Sequence, residues 1–347
     1  MAPQKPLPHD LLTDILLRLP AKDLVEFRRV SKAWLSLICS QKFNNAYLKY
    51  SSARRLVFRS YNQLYTCPLW LKPGQHEAVP FGFVREHGRI RLVGSCNGLV
   101  CLVASSLKES IVLWNPATRK HRVIDVSPKN YEFFTSFGFG YDPSSDYYKV
   151  MRVCMEEKPT LATYSLRNKS WTTSDWYHGR VHHHSGVLVN GALHFKVQGR
   201  YKRDKCGVVA LSLATDQCSR FALPVSFDER DLDWARLGVL GGCLCLYIGR
   251  YSTNVWVMKE YGVNESWTEV ASFSDDDDAE SDHIRFFPAE PMCVWENGDV
   301  LIDNDSNMIS YSPYDYGKSF GLTEVKDVQA IDYSESFLSP HLDLPQT

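Results

Sequence analysis

A chain of 347 residues is too long for one small core and suits a small module joined to a much larger domain. Apolar residues at 44% and charged residues at 23% give the usage of a folded globular protein, and a net charge of −1 excludes bulk attraction to nucleic acid or anionic lipid. Ten cysteines are present, but no CxxC pair occurs. Most of them (Cys96, Cys101, Cys154, Cys243, Cys245, Cys293) sit in apolar, strand-like runs where a free thiol acts as a small core residue. The opening MAPQKPLPHDLL lacks the apolar core of a signal peptide, and no run approaches the roughly 18 apolar residues of a membrane span. The expected compartment is reducing, the cytoplasm and/or the nucleus.

From Leu7 to about Tyr50 the pattern is helical. Pro8 suits a first helical turn, Asp10 places an acid near the positive helix end, and Leu11, Leu12, Ile15, Leu16 and Leu19 recur at helical spacing. Pro20 ends that helix. A second starts at residues 21–23 and carries Leu24, Val25, Phe27 and Val30. A third holds Trp34, Leu35, Leu37 and Ile38 and runs on through Phe43, Tyr47 and Leu48. Three short helices bury only about 60% of their surface or less, so part of this module must face another protein. It carries eight Lys/Arg against four acids, which suits an acidic partner or a solvated basic face equally well.

The string LPHDLLTDILLRLPAKDLVEFRRVSKAWLSLICSQKF resembles an F-box over nearly its full length, with an opening Leu-Pro, an internal Leu-Pro and an Arg-x-Val-x-Lys-x-Trp segment. Ser31 departs from the family, which more often has Cys there. The resemblance implies docking on a Skp-type adaptor and, through it, a cullin scaffold. The positions it implies are Leu7, Pro8, Leu12, Ile15, Leu16, Leu19, Pro20, Leu24, Val30, Ser31, Lys32 and Trp34. Some of these must hold the helices to one another instead, and sequence alone does not divide the two sets.

Beyond residue 55 short alternating strands take over. Asn97-Gly98, Asn190-Gly191, Gly241-Gly242 and Asn297-Gly298 each lie between matching apolar runs, and such pairs favour two-residue hairpins because both central positions need φ > 0. With the Asp142-Pro143 turn they recur about every fifty residues, the spacing of kelch-like propeller units of four strands. Five units are clear from about 90 to 325. Strands at 56–70 and 328–340 would pair to hide the ring's edges. The expected fold is therefore mainly β: a small N-terminal three-helix F-box at 1–50, then a kelch-like β-propeller at 51–340 with six blades and the C-terminal strand closing the first, and a tail at 341–347.

GSCNGLVCL, LWNPATRKHRVI, FGFGYDPSSDYYKV and YSESFLSP together resemble the F-box-associated domain of the large plant F-box family. The implied function is the substrate-recognition subunit of a Skp–cullin–F-box ubiquitin ligase, which is not itself an enzyme. Asn115-Pro116-Ala117-Thr118 and Asp142-Pro143-Ser144-Ser145-Asp146 read as turns with side-chain-to-backbone bonds rather than as catalytic groups.

Chemistry is otherwise sparse. His182-His183-His184 has no acid or cysteine at supporting spacing, so no metal or cofactor is expected. The acid run from Asp275 to Asp282 reads as a solvated loop, and Arg200-Tyr201-Lys202-Arg203-Asp204-Lys205 and Arg119-Lys120-His121-Arg122 as charged turns. No Walker loop, GxSxG, HExxH or GxGxxG occurs. The alternatives are a propeller hydrolase or sugar-binding protein with an incidental helical cap, and an adaptor-binding protein that acts outside degradation. Tyr131, Phe133, Phe134, Trp176, Tyr177, Trp234 and Tyr251 are candidates for a target surface; the target itself is unknown.

Overall fold

A computed structural model describes residues 8–50, 54–60, 63–68, 77–78, 89–105, 109–126, 135–155, 157–181, 185–198, 206–224, 235–248, 252–274, 290–294, 300–304, 307–311, 320–323 and 328–341. The chain opens with helices α1 (His9–Leu17), α2 (Ala21–Phe27), α3 (Lys32–Cys39) and α4 (Gln41–Tyr50). Pro8 and Pro20 are the extended residues before α1 and α2, at φ −52° and −57°. A locked φ suits that position, and each proline carbonyl accepts the first helical bond, from Leu12 at 3.1 Å and from Leu24 at 3.2 Å. The two Leu-Pro pairs are thus helix starts.

The single third helix expected from the sequence is two helices. Ser40 is extended (φ −69°, ψ 143°), its Oγ accepts from the Phe43 N–H at 3.2 Å and its carbonyl from the Asn44 N–H at 3.0 Å. A serine that caps the following turn competes with continuation of the preceding helix, and the apolar periodicity carries across the break.

All that follows is β. A hairpin of β1 (Arg54–Ser60) and β2 (Gln63–Pro68) has β3 (Glu77–Ala78) beside β2. Five antiparallel units then follow in sequence. The first is β4 (Arg89–Cys96), β5 (Leu99–Ser105), β6 (Glu109–Asn115) and β7 (Lys120–Asp125). Next come β8 (Thr135–Asp142), β9 (Tyr147–Cys154), β10 (Thr160–Ser165) and β11 (Ser170–Asp175). The third contains β12 (Arg180–Val181), β13 (Val187–Val189), β14 (Ala192–Gln198), β15 (Gly207–Ser212) and β16 (Cys218–Ala222), with β12 and β13 both paired to β14. The fourth is β17 (Arg236–Leu240), β18 (Cys243–Ile248), β19 (Ser252–Met258) and β20 (Trp267–Ser274). The fifth is β21 (Glu290–Val294), β22 (Val300–Asn304), β23 (Asn307–Tyr311) and β24 (Phe320–Thr323).

The last strand, β25 (Gln329–Ser334), pairs antiparallel with β1, from Arg54↔Ser334 to Arg59↔Gln329, and makes a composite sheet of order β25-β1-β2-β3 from both ends of the chain. The strands β25, β4, β8, β13, β17 and β21 touch in turn, and β21 returns to β25, so the inner strands form a closed circuit. The architecture is a mainly β propeller carrying a helical module.

The core lies between successive sheets. Along β5, Val100, Leu102 and Ala104 pack toward the composite sheet, while Leu99, Cys101 and Val103 pack toward β8 and β9. This is the two-residue alternation of a strand buried on both faces. Three of the four expected tight turns have both central residues at positive φ: Asn97 and Gly98 (51°, 79°), Asn190 and Gly191 (47°, 71°), Gly241 and Gly242 (55°, 78°). The fourth, Asn297-Gly298, lies outside the described residues. A second turn class places one left-handed residue just before or within two residues of the next strand, at Arg119, Asp146, Lys169 and Asp216 (58°, 57°, 52°, 55°).

Candidate functional site

The helical module separates the twelve sequence-predicted positions into distinct groups. Leu16 and Leu24 are wholly buried beside Ala21, Ile38, Phe43 and Tyr47, with Leu12, Leu19 and Trp34 packed partly against them. The Tyr47 hydroxyl donates to the Leu19 carbonyl at 3.1 Å, and Phe27 and Trp34 meet edge to face at 5.7 Å. Pro8, Ile15, Pro20, Val30, Ser31 and Lys32 are exposed. Leu7 lies outside the described residues.

Leu11 and Leu35, absent from the predicted set, join Ile15 and Val30 as exposed aliphatics, at 53%, 42%, 49% and 58% respectively. Leu11 and Ile15 are four residues apart and share one face of α1. Ser31, the departure from the F-box pattern, begins α3, since its Oγ accepts from the Trp34 N–H at 3.2 Å. Val30 and Leu35 flank the start of α3, where Lys32 and the Glu26-paired Arg29 also stand, and what these exposed aliphatic positions offer is docking rather than bond-making.

Sequence reasoning missed how the module is fastened. Phe337, just beyond β25, is buried within the helices, with its ring 5.8 Å from Phe43 and 5.0 Å from Tyr47. Arg28 stands over that ring at 5.3 Å and donates from Nη2 to the Phe337 carbonyl at 3.0 Å. Asn115, wholly buried, donates from Nδ2 to the carbonyls of Ser336 (2.9 Å) and Leu338 (2.8 Å). Its Oδ1 accepts from the N–H groups of Ala117 and Thr118, and Ala117 itself packs against the helices. The only signal available beforehand was that YSESFLSP stood out as a motif.

Neighbouring motif residues bridge sheets. Asn97 Nδ2 donates to the Tyr148 hydroxyl at 3.1 Å. Asp142 caps its own turn by accepting from the Ser144 N–H (2.9 Å) and from the hydroxyls of Ser144 (2.6 Å) and Ser145 (2.8 Å), and it pairs with Lys149 at 3.2 Å. Lys149 also donates to the Leu213 carbonyl of the next sheet. Burial works against the Asp142 charge, but the bonds from Ser144, Ser145 and Lys149 outweigh it and hold the carboxyl down at about 2. These are ties within the ring, in line with their reading as structural turns.

Other candidates fare differently. Trp176 is buried, donates to the Gly179 carbonyl at 2.7 Å and packs on Phe195, so it belongs to the core; Tyr177 is exposed. His194 is buried between Val187 and Tyr261, and desolvation lowers its pKa to about 4, which leaves it neutral near pH 7. Burial pushes the Cys245 thiol up to about 12, as suits an inert core cysteine. Tyr131, Phe133, Phe134, Trp234, Tyr251, His182-His183-His184, the basic stretch 200–205 and the acid run 275–282 lie outside the described residues.

Residues 6–45 match the F-box domain family and residues 78–332 the F-box associated beta propeller domain family. An F-box/kelch-repeat protein of Arabidopsis thaliana is 28% identical over 96% of this chain and 96% of its own length. The F-box protein CPR1 of the same plant is 31% identical over 76% of this chain and 72% of its own. Among solved structures, TolB from Acinetobacter baumannii superposes with a TM-score of 0.51 at 12% identity, over 88% of this chain and 72% of that one, a likeness of fold alone.

Proposed function

This chain belongs to the F-box proteins that carry an F-box-associated beta propeller domain, and from that premise we propose that it is the substrate-recognition subunit of a Skp–cullin–F-box ubiquitin ligase. The observation that carries the proposal is the exposed aliphatic set Leu11, Ile15, Val30 and Leu35 on a module whose core is Leu16, Ala21, Leu24, Ile38, Phe43 and Tyr47. A Skp-type adaptor would cover that set, with the exposed positions Pro8, Ile15, Pro20, Val30, Ser31 and Lys32 at the contact. Leu12, Leu16, Leu19, Leu24 and Trp34 would shape the surface from beneath.

In this reading the composite sheet counts as a sixth blade, and the propeller holds the target protein in the cytoplasm or nucleus. The ligase gains by proximity, because a target tethered near the charged conjugating enzyme reacts at high effective concentration. The protein supplies no bond-making group of its own. Co-purification tests the assignment: tagged wild type is expected to bring down a Skp-type adaptor and its cullin, and the Ile15→Asp variant to bring down neither. Depletion of the protein is expected to lengthen the half-life of any target captured with it; an unchanged half-life would favour the sequestering alternative.

A further inference from the structure

We propose that residues 334–338 are a positioning clamp, which makes the seating of the helical module depend on closure of the propeller ring. The inference deepens the ligase reading and rests on it only in taking the module as the adaptor-binding end.

Successive residues of this segment pack on opposite sides. Ser336 and Leu338 face the propeller. Asn115 binds the carbonyls of both, and the Ser336 hydroxyl lies 3.2 Å from the same amide. Leu338 packs into the core between the β4–β7 and β8–β11 sheets. Gly98 sits so close that a Cβ there would overlap Ser336, and the Ser95 hydroxyl donates to the Asp332 carbonyl at 2.6 Å.

Phe337, between these anchors, faces the other way into the helices, 309 residues from the Arg28 that holds it. The core of the helical module is therefore completed by a side chain that follows β25. β25 pairs with β1 and stands between β21 and β4 in the circuit of inner strands, and Phe337 just after it packs among Phe43, Tyr47 and Arg28. A chain whose ring is open lacks that ring in its helical core and has no fixed bearing between adaptor and target. Arg28, Asn115 and Phe337 thus fasten the helical module to the propeller.

Hydrogen exchange on the full chain tests the clamp, with Phe337→Ala and Arg28→Ala beside wild type. Amides of α1 and α4 are expected to exchange at least about tenfold faster in Phe337→Ala and by a smaller factor in Arg28→Ala, with β9, β14 and β18 as protected as in wild type. Should Phe337→Ala lose strand protection as well, Arg28→Ala alone decides. Helical protection equal to wild type in both variants overturns the clamp. Adaptor capture by wild type is scored separately: its absence overturns the ligase reading and leaves the exchange result standing.

Discussion

The two regions of this molecule treat apolar surface in opposite ways. The helical module, within its first fifty residues, leaves Leu11, Ile15, Val30, Leu35 and Tyr50 exposed. The described part of the propeller is several times longer and exposes six large apolar residues over that length: Val123 and Tyr177 by separate sheets, Val239 and Val270 on the two edge strands of the fourth unit, and Tyr261 and Val263 in its β19–β20 connection. Scattered exposure is ordinary for a protein surface, whereas a concentrated set on a module of four short helices signals a missing partner. The propeller closes its own ring, because β25 pairs with β1 and touches both β21 and β4. The module takes one core residue, Phe337, from the propeller side and leaves its outer face for another protein.

The sharpest way to separate the regions is to damage one core at a time. Leu24→Ala removes a fully buried side chain from the module, and a loss of about 2–5 kcal/mol is expected there. Exchange mass spectrometry should find it in α1–α4 and leave β9 and β18 protected. Loss of protection in those strands would show that the two regions do not unfold separately.

Gly98→Ala strikes the joint from the propeller side. Alanine at φ 79° is strained and its Cβ would overlap Ser336, so a cost toward the upper end of about 1–3 kcal/mol is expected. A melting temperature within error of wild type would contradict the close approach described for residues 334–336.

The next effect belongs to the ring alone. The folded pKa of Asp142 lies below the 3.8 of an ordinary aspartate, so its stabilisation is present above pH 3.8 and is lost as pH falls toward about 2. Asp142→Asn is expected to cost about 2 kcal/mol at neutral pH and to flatten the acid limb of the stability curve in that window. An acid limb as steep as that of wild type would show that Asp142 does not carry this dependence.

Much of this architecture was legible in advance because its signals are local. The Asn-Gly and Gly-Gly turns, the strand alternation and the Leu-Pro helix starts each depend on residues a few positions apart. What sequence did not show depends on distant partners or on one competing side chain. Asn115 read correctly as a turn residue, but its bonds to Ser336 and Leu338 cross more than two hundred positions. The break at Ser40 was hidden because the apolar residues keep helical spacing across it. The leucines of α1 carried the right periodicity, yet the core they pack into includes Phe337, more than three hundred positions away. Arg119, Asp146, Lys169 and Asp216 share a left-handed conformation with no common residue type to announce it.

The central claim, that the outer face of the helical module is built to hold an adaptor, is tested most directly by calorimetric titration of the purified chain with a purified Skp-type adaptor. Wild type is expected to bind, and Ile15→Asp and Val30→Asp, both at exposed positions, are expected to weaken binding by at least about a hundredfold while melting like wild type. Leu16 is unsuitable for this purpose because it is buried in the module's own core. Wild-type affinity in both variants, or no binding by the wild-type chain, would contradict the account.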